Sequence, residues 1–278
     1  MRYRIVKRLG SGGFGNVYEV QASDGNTYAM KLLKDLTLIN KQRFESEIKI
    51  LSQLDHPNIV KIFEWNLAGD PPDYSPWYTM EYLHGESLAV HMESKFEGEY
   101  VFQRNWTINT IIVPACHALA QAHSAGIYHR DLKPDNILYT NNARAQIKIT
   151  DWGLGRDIGR KSIALTASAG QLGGTPGYCA PEQWFMFEEI DGRADIYSLG
   201  VIFYEMMTGR RPPNYDENNS ELKRLKAVDA PSKYHPTITK ELDNCILKML
   251  ELDVVKRHHS VWQIISEIES LPDARYYY

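Results

Sequence analysis

The chain of 278 residues has few cysteines, no long apolar run and no excess of basic charge, and each shortage excludes a class of protein. Cys116, Cys179 and Cys245 are far apart and form no CxxC pair, which argues against a zinc site and a disulfide framework. We expect reduced cysteines in a cytoplasmic protein. The most apolar stretch, residues 196–207, is too short to span a bilayer and contains Glu205. The net charge is −4, so the chain has no excess of basic residues to bind the phosphate backbone of a nucleic acid.

The pattern of apolar and turn residues in the first 80 or so positions predicts mainly strands. Strand-like segments flank a glycine-rich turn, the Asp24–Gly25 hairpin turn and a proline-bearing loop. One helix interrupts them, because Phe44, Ile48 and Leu51 share a face at helical spacing.

From about residue 81 the pattern becomes helical, which predicts two lobes with a hinge near residues 81–85. One helix should end at Gly126, and Pro114 should kink it or mark its start. The segment ADIYSLGVIFYEMMTG is apolar all round and therefore predicts a buried helix that Gly209 closes. Ser260 is the expected N-cap of the last helix.

The stretch GSGGFGNV places Gly10, Gly12 and Gly15 ahead of Val17. Glycine lets backbone N–H groups approach an anion closely, so this spacing is typical of a phosphate-binding loop. A dinucleotide-binding fold requires a helix directly after the glycines, whereas VYEV predicts a strand. The sequence favours a glycine-rich hairpin that covers phosphates, with a hairpin that binds no ligand as the alternative.

Lys31 lies in the apolar strand segment YAMK, beneath the expected phosphate loop, and is a candidate phosphate ligand. Such a lysine needs an anion to hold it. Glu47 is the best candidate because it precedes the apolar run IKIL on the following helix, and Glu45 is its competitor.

The stretch IYHRDLKPDNIL concentrates Asp131, Lys133 and Asn136 in one short loop. The carboxylate can accept a hydroxyl proton, the ammonium can neutralise phosphate charge, and the amide oxygen can bind a hard cation. Asp151 follows the strand segment IKIT, and a carboxylate there, close to Asn136, suits Mg²⁺. A polar turn with satisfied caps is the alternative.

These motifs together resemble a eukaryotic-type (Hanks-type) serine/threonine protein kinase catalytic domain over nearly the whole chain. His129 and Arg130 complete the catalytic-loop pattern, and Gly153 completes the metal-loop pattern. The segment GTPGYCAPE is similar to the end of the family's activation segment, and Arg257 lies where the family has the partner of Glu182.

The resemblance implies an α+β, bilobal protein-kinase-like fold. A small antiparallel β N-lobe with one helix would span residues 1–82 and contain the glycine-rich loop. A larger, mainly α-helical C-lobe would span residues 83–278 and contain the catalytic loop, the activation segment and a helical substrate platform.

The resemblance also implies Mg²⁺-dependent transfer of the ATP γ-phosphoryl group to Ser/Thr hydroxyls of protein substrates, with Mn²⁺ able to replace Mg²⁺. Asp131 would accept or orient the hydroxyl and Lys133 would stabilise the transferred group. Lys31, held by Glu47, would bind the ATP phosphates. The implied metal ligands are Asn136 and Asp151. The implied nucleotide contacts are Gly10, Gly12, Gly13, Gly15, Val17, Ala29, Lys31, Met80, Glu81, Leu83 and Leu138.

The activation segment suggests regulation by autophosphorylation at Thr166 or Ser168, with Arg130 as the partner of the phosphate, and an exposed serine/threonine-rich loop that is never modified is the alternative. Thr175 is expected to pair with Lys133, and a local turn cap is the alternative for it. Trp152 occupies the position that is phenylalanine in the family, and we expect it to stack on His129 and on Leu51.

Two other functions remain open on the sequence: a pseudokinase or scaffold module of the same fold, and a small-molecule phosphotransferase. Lys31, Asp131 and Asp151 are all present, which argues against a pseudokinase. The segment GTPGYCAPE and the helices after it argue against the second. The expected partners are ATP and a protein substrate, without nucleic acid or a membrane segment. The oligomeric state is open.

Overall fold

An antiparallel sheet forms the N-terminal part of the chain in a computed structural model, which describes residues 2–12, 15–70, 74–96, 102–140, 147–152, 175, 177–184, 190–212 and 228–271. Its five strands lie in the order β1-β2-β3-β5-β4. Their bounds are β1 Tyr3–Ser11, β2 Gly15–Ala22, β3 Thr27–Leu33, β4 Ile62–Asp70 and β5 Ser75–Glu81.

The predicted Asp24–Gly25 turn joins β2 to β3. Gly25 has a φ of +87°, a conformation that glycine adopts without a steric penalty. The Asp24 carboxylate accepts a hydrogen bond of 2.9 Å from the backbone N–H of Asn26. This local closure sets the register of the two strands.

A single helix, α1 (Leu38–Leu51), packs beside the sheet, as predicted. Thr37 caps it by accepting a hydrogen bond from the backbone N–H of Asn40. Phe44, Ile48 and Leu51 are all buried, which confirms the predicted apolar face. The same helix carries the buried Glu47 toward the sheet.

Helices dominate the rest of the described chain. They are α2 Leu88–Phe96, α3 Arg104–Trp106, α4 Val113–Ser124, α5 Pro181–Trp184, α6 Arg193–Thr208, α7 Lys240–Met249 and α8 Val261–Glu269. Helix α6 is buried along almost its whole length, and Gly209 closes it with a left-handed φ of 71°. None of the described helices is both long and apolar enough to cross a membrane.

Pro114 lies in the first turn of α4, directly after a π-helical segment, Thr107–Ile112. A proline inside a regular helix loses one hydrogen bond and clashes with the carbonyl four residues earlier. Ile112 and Val113 keep right-handed helical dihedrals, so the helical path continues through Pro114, and the wider π turn before it accommodates the proline.

Ser260 occupies the N-cap position of α8, as predicted, although its side chain makes no cap hydrogen bond. A small second sheet of β6 (Gly85–Ser87), β7 (Ile137–Thr140) and β8 (Ile147–Ile149) lies within the mainly helical part. The prediction missed β6 because its three residues show no apolar alternation.

The second sheet is tied to the N-terminal part through β8. The backbone N–H of Val60 donates to the Ile149 carbonyl at 3.0 Å, and the N–H of Ile149 donates to the Asn58 carbonyl at 2.8 Å. Because Asp151 follows β8 by two residues, this connection fixes that carboxylate against the larger sheet.

Candidate active site

Strand register brings the predicted nucleotide contacts of the first sheet together. Val17 pairs with Lys31 across β2 and β3, and Ala29 pairs with Met80 across β3 and β5. Directly paired residues lie on the same face of a sheet, and so do residues two apart on one strand. Val17, Ala29, Lys31 and Met80 therefore line one face.

A buried charge cluster centres on Lys31. Its Nζ lies 2.7 Å from Glu47 Oε1 and 2.7 Å from Asp151 Oδ1. Tyr78 donates a further hydrogen bond of 3.0 Å to the same Glu47 oxygen. Glu47 is thus the anion that holds Lys31, and the competitor Glu45 is wrong.

The charge states of this cluster follow from its contacts. Burial alone would lower the pKa of Lys31, but the carboxylates of Asp151 and Glu47 raise it well above its usual range. In turn, the Lys31 ammonium holds the pKa of Asp151 below its ordinary value. The ammonium therefore stays charged and can attract an anion beside the half-exposed carboxylate of Asp151.

Asp131, Lys133 and Thr175 form a second polar cluster. The Thr175 hydroxyl donates to Asp131 Oδ1 at 2.8 Å and accepts from Lys133 Nζ at 2.8 Å. This geometry confirms the expected pairing of Lys133 with Thr175. Thr175 therefore holds the Asp131 carboxylate and the Lys133 ammonium beside one another, and both groups suit transfer of a phosphoryl group to an alcohol.

Asn136 lies on the other side of the same loop and is almost completely buried. Its Nδ2 donates a hydrogen bond of 2.9 Å to the Asp131 carbonyl, so the side-chain oxygen is left for a cation. The backbone N–H of Thr150 donates to the Asn136 carbonyl at 2.9 Å. That bond links the loop to the chain just before Asp151.

The buried carboxylate of Asp195 on α6 binds the backbone of the catalytic loop, residues 129–136. Asp195 accepts hydrogen bonds from the backbone N–H groups of His129 and Arg130, at 2.8 and 2.7 Å. Arg130 has a φ of 63°, a conformation that non-glycine residues rarely adopt. His123 also contacts Asp195 at 2.8 Å, through Nε2. The strained loop is therefore fixed by contacts that the sequence analysis missed, since no local motif marks them.

Trp152 is completely buried and packs on the catalytic-loop histidine. The ring centroids of His129 and Trp152 are 4.8 Å apart at an interplanar angle of 56°. The indole Nε1 donates a hydrogen bond of 3.4 Å to the Ile149 carbonyl. Trp152 and Leu51 belong to the same apolar core cluster. The aromatic contact expected at this position is therefore present, and the buried N–H has a partner.

The glycine-rich turn is a hairpin, as predicted, because β1 ends at Ser11 and β2 begins at Gly15. The Gly12 N–H donates to the Gly15 carbonyl at 2.9 Å. A Cβ at Gly15 would lie 2.6 Å from the Leu32 carbonyl oxygen, so only glycine fits there. Gly13, Gly153, Ser162, Thr166 and Ser168 lie outside the described residues.

The expected hinge carries one ion pair that the sequence did not indicate. Glu81 Oε1 lies 2.6 Å from Lys148 Nζ and accepts a hydrogen bond of 2.9 Å from the Lys61 backbone. The Glu81 side chain is thus engaged with β8, and its backbone N–H donates to the Lys61 carbonyl at 3.0 Å. Leu138 lies on β7, where it pairs with Ser87 and Lys148.

The expected pair of Glu182 and Arg257 is present and buried. Arg257 Nη1 lies 2.7 Å from Glu182 Oε1, and Nη2 lies 3.1 Å from Oε2. Arg257 also donates to the carbonyls of Arg193 and Glu251, at 2.6 and 3.0 Å. This bidentate pair anchors the end of the activation segment to the loop before α8.

A lysine held by two carboxylates near a glycine hairpin, together with an aspartate–hydroxyl–lysine cluster, is an arrangement that suits the handling of phosphate groups. The chain belongs to the protein kinase domain family, whose model matches residues 3–267. Curated relatives of the chain are named serine/threonine-protein kinases.

Two bacterial relatives illustrate the similarity. The serine/threonine-protein kinase Pkn1 of Myxococcus xanthus is 36% identical over 267 residues, which cover 93% of this chain and 36% of Pkn1. The serine/threonine-protein kinase PknB of Mycobacterium tuberculosis is 31% identical over 277 residues, which cover 96% of this chain and 42% of PknB. The chain therefore spans less than half the length of these relatives.

The fold is similar to that of solved kinase domains. The crystal structure of the Mycobacterium tuberculosis PknI kinase domain matches with a TM-score of 0.70 and 24% identity. The match covers 96% of this chain and 95% of that domain. The expected protein kinase fold, with a β-sheet N-lobe and a helical C-lobe, is confirmed.

Proposed function

We propose that this domain transfers the γ-phosphoryl group of Mg²⁺-bound ATP to Ser/Thr hydroxyls of protein substrates, with the residue roles given above. The observation that carries the proposal is the position of Lys31, held by Glu47 and Asp151 at 2.7 Å each. An ammonium fixed in this way gives the ATP phosphates a positive charge of defined position, which costs no reorganisation during the reaction.

The donor atoms of Asn136 and Asp151 fit Mg²⁺. Asn136 offers its side-chain oxygen, and Asp151 uses Oδ1 toward Lys31 while Oδ2 has no partner among the described residues. Mg²⁺ prefers a few such oxygens together with substrate phosphates. When bound, the metal would neutralise charge on the phosphates. Mn²⁺ takes the same oxygen ligands and is the expected substitute.

Asp131 and Lys133 would act on the substrate hydroxyl from the positions in which Thr175 holds them. The Asp131 carboxylate accepts a hydrogen bond of 2.8 Å from the Thr175 hydroxyl, which orients it as a general base or an orienting group for the substrate hydroxyl. Lys133 donates to the same Thr175 oxygen at 2.8 Å and would stabilise the negative charge of the transferred group. A pseudokinase would need no such set of correctly placed groups.

Regulation by autophosphorylation is part of the proposal. Arg130 Nη2 donates to the Ile190 carbonyl at 2.9 Å, while its buried Nε has no partner among the described residues. A phosphate on the activation segment would supply acceptor oxygens for that guanidinium. Mass spectrometry after incubation with Mg²⁺ and ATP should find phosphate between residues 151 and 182, and its complete absence there would refute the proposal.

The proposal is tested with Lys31→Met and a matched surface control, Lys256→Met. Lys256 is the suitable control because 68% of its side chain is exposed. Phosphorylation of a generic protein substrate should fall by at least about 100-fold in Lys31→Met, since it loses preorganised phosphate stabilisation. The control should match the parent. Equal rates for the parent and Lys31→Met would contradict the proposal.

The same assay distinguishes a protein kinase from a small-molecule phosphotransferase. Labelled ATP is offered with a protein substrate or with small hydroxyl-bearing acceptors. The proposal expects label on serine and threonine of the protein. Label only on the small acceptors would favour a small-molecule phosphotransferase.

A further inference from the structure

Three metal-binding side chains from separate segments meet in the C-terminal part of the fold. Cys245 lies on α7, His258 in the loop after α7, and Glu267 on α8. Their ligand atoms all lie within 4.8 Å of one another. Cys245 and His258 are buried, whereas 37% of the Glu267 side chain is exposed.

The contacts inside this Cys245–His258–Glu267 cluster leave one polar atom unsatisfied. His258 Nε2 lies 2.9 Å from Glu267 Oε2. His258 Nδ1 is buried and has no hydrogen-bond partner in the part of the chain that the structure describes. Buried polar atoms are normally satisfied, so the residues that the structure describes leave this imidazole with one open bonding position.

Glu267 is oriented by a second contact outside the cluster. Lys248 Nζ lies 2.9 Å from Glu267 Oε1, which leaves Oε2 directed to His258. Lys248 thus holds Glu267 with Oε2 beside His258 Nε2, so a cation that binds both atoms would replace the proton that they share.

We infer that Cys245, His258 and Glu267 bind a thiophilic divalent cation of the Zn²⁺ class. Thiolate, imidazole and carboxylate are the ligands that Zn²⁺ takes, whereas Mg²⁺ and Ca²⁺ select oxygen ligands alone. On binding, the Cys245 Sγ–H bond breaks, the sulfur–metal bond forms and that proton leaves to solvent. The proton shared by His258 Nε2 and Glu267 Oε2 moves to His258 Nδ1, and nitrogen–metal and oxygen–metal bonds take the place of the hydrogen bond. The exposed side of Glu267 leaves room for water in the fourth position of a tetrahedral site.

The lack of a CxxC pair does not exclude this site. That argument applies to ligands that are close in sequence, whereas here the fold gathers three ligands from two helices and a loop. The inference does not depend on the proposed function, because none of the three side chains lies among the groups that would bind ATP or Mg²⁺.

A bound cation would reinforce the C-terminal helices. It would connect α7 and α8 to the loop that carries Arg257, the neighbour of His258 and the partner of Glu182. A metal that binds only the folded state raises the apparent stability of that state. The melting temperature should therefore rise with metal concentration even when ATP is absent.

The test titrates Co²⁺, as a spectroscopic substitute for Zn²⁺, into chelator-treated protein without ATP. The parent should bind one equivalent and develop a near-ultraviolet thiolate-to-cobalt absorption band, which Zn²⁺ then displaces. Cys245→Ser should lose the band. His258→Gln should bind the metal at least about tenfold more weakly. The matched controls Cys116→Ser and His259→Gln should behave like the parent; His259 is exposed and lies beside the cluster.

Absence of the band in folded parent protein, or an equal band in Cys245→Ser, would overturn the inference. Circular dichroism checks the fold of each variant. Should Cys245→Ser fail to fold, Glu267→Gln decides the question, because this partly exposed side chain tolerates substitution more easily. A tenfold or greater loss of affinity in Glu267→Gln would support the site, and unchanged affinity would overturn it.

Discussion

Replacing Glu182 by glutamine should destabilise the domain strongly, because it would leave a buried charge without its counterion. Arg257 is completely buried, and only 6% of the Glu182 side chain is exposed. Glutamine retains the shape and one acceptor oxygen but removes the negative charge. Removal of one partner of a buried ion pair costs about 3–5 kcal/mol.

The cost lies in this range because two carbonyl contacts to Arg257 remain, from Arg193 and Glu251, and they satisfy hydrogen bonds without neutralising the charge. For a chain of this size the loss corresponds to a decrease in melting temperature of roughly 6–20 °C. Differential scanning fluorimetry and urea unfolding measure both quantities.

The matched control is Asp55→Asn. Asp55 pairs with Lys61 at 3.2 Å, but 84% of the Asp55 side chain is exposed. Exposed pairs of this kind contribute only about 0–1 kcal/mol, so the control should melt close to the parent. If Glu182→Gln also melts within error of the parent, the buried pair does not carry the stability assigned to it.

Three further variants test the site. Thr175→Val removes the hydroxyl between Asp131 and Lys133. The variant should lower kcat roughly 10- to 150-fold, because that is the effect of losing one charge-assisted hydrogen bond. Thr175→Ser keeps the hydroxyl and should retain activity. Trp152→Phe keeps the aromatic contact, so phosphorylation should stay near the parent rate while urea unfolding reports a loss of about 1–2 kcal/mol. Burial raises the pKa of Asp195, but its hydrogen bonds outweigh burial and hold the pKa below the ordinary 3.8. The Asp195 carboxylate therefore stabilises the folded state above pH 3.8, and this contribution is lost as the pH falls through the lower pKa of the folded state. Asp195→Asn should lose most stability near neutral pH, and the difference in stability between variant and parent should shrink in acid.

Local patterns predicted most of the helices and strands. The apolar face of α1 and the buried α6 were predictable from periodicity. The spacing of apolar residues within one segment shows whether one face or every face of a helix is buried. Strand β6 and the missing cap contact of Ser260 were not predictable in this way. Three residues without alternation carry no strand signal, and a cap residue type does not ensure a cap bond.

The candidate site was predictable where its residues belong to compact motifs. Asp131, Lys133 and Asn136 share one loop, and the pairing of Lys31 with Glu47 followed from helix position. The contacts of Asp195 with His123 and with the catalytic loop were not predictable, because they join residues more than 60 positions apart. Only the packing of α4 and α6 brings these side chains together.

The most direct test of the account compares the parent with Asp131→Asn in phosphorylation of a generic protein substrate by labelled ATP. Asparagine keeps the size of the side chain but cannot accept the hydroxyl proton. Asp253→Asn, at an exposed position, serves as the matched control. The account predicts a rate at least about 100-fold lower for Asp131→Asn, with label on serine and threonine in the parent and the control. Phosphorylation by Asp131→Asn at the parent rate would contradict it.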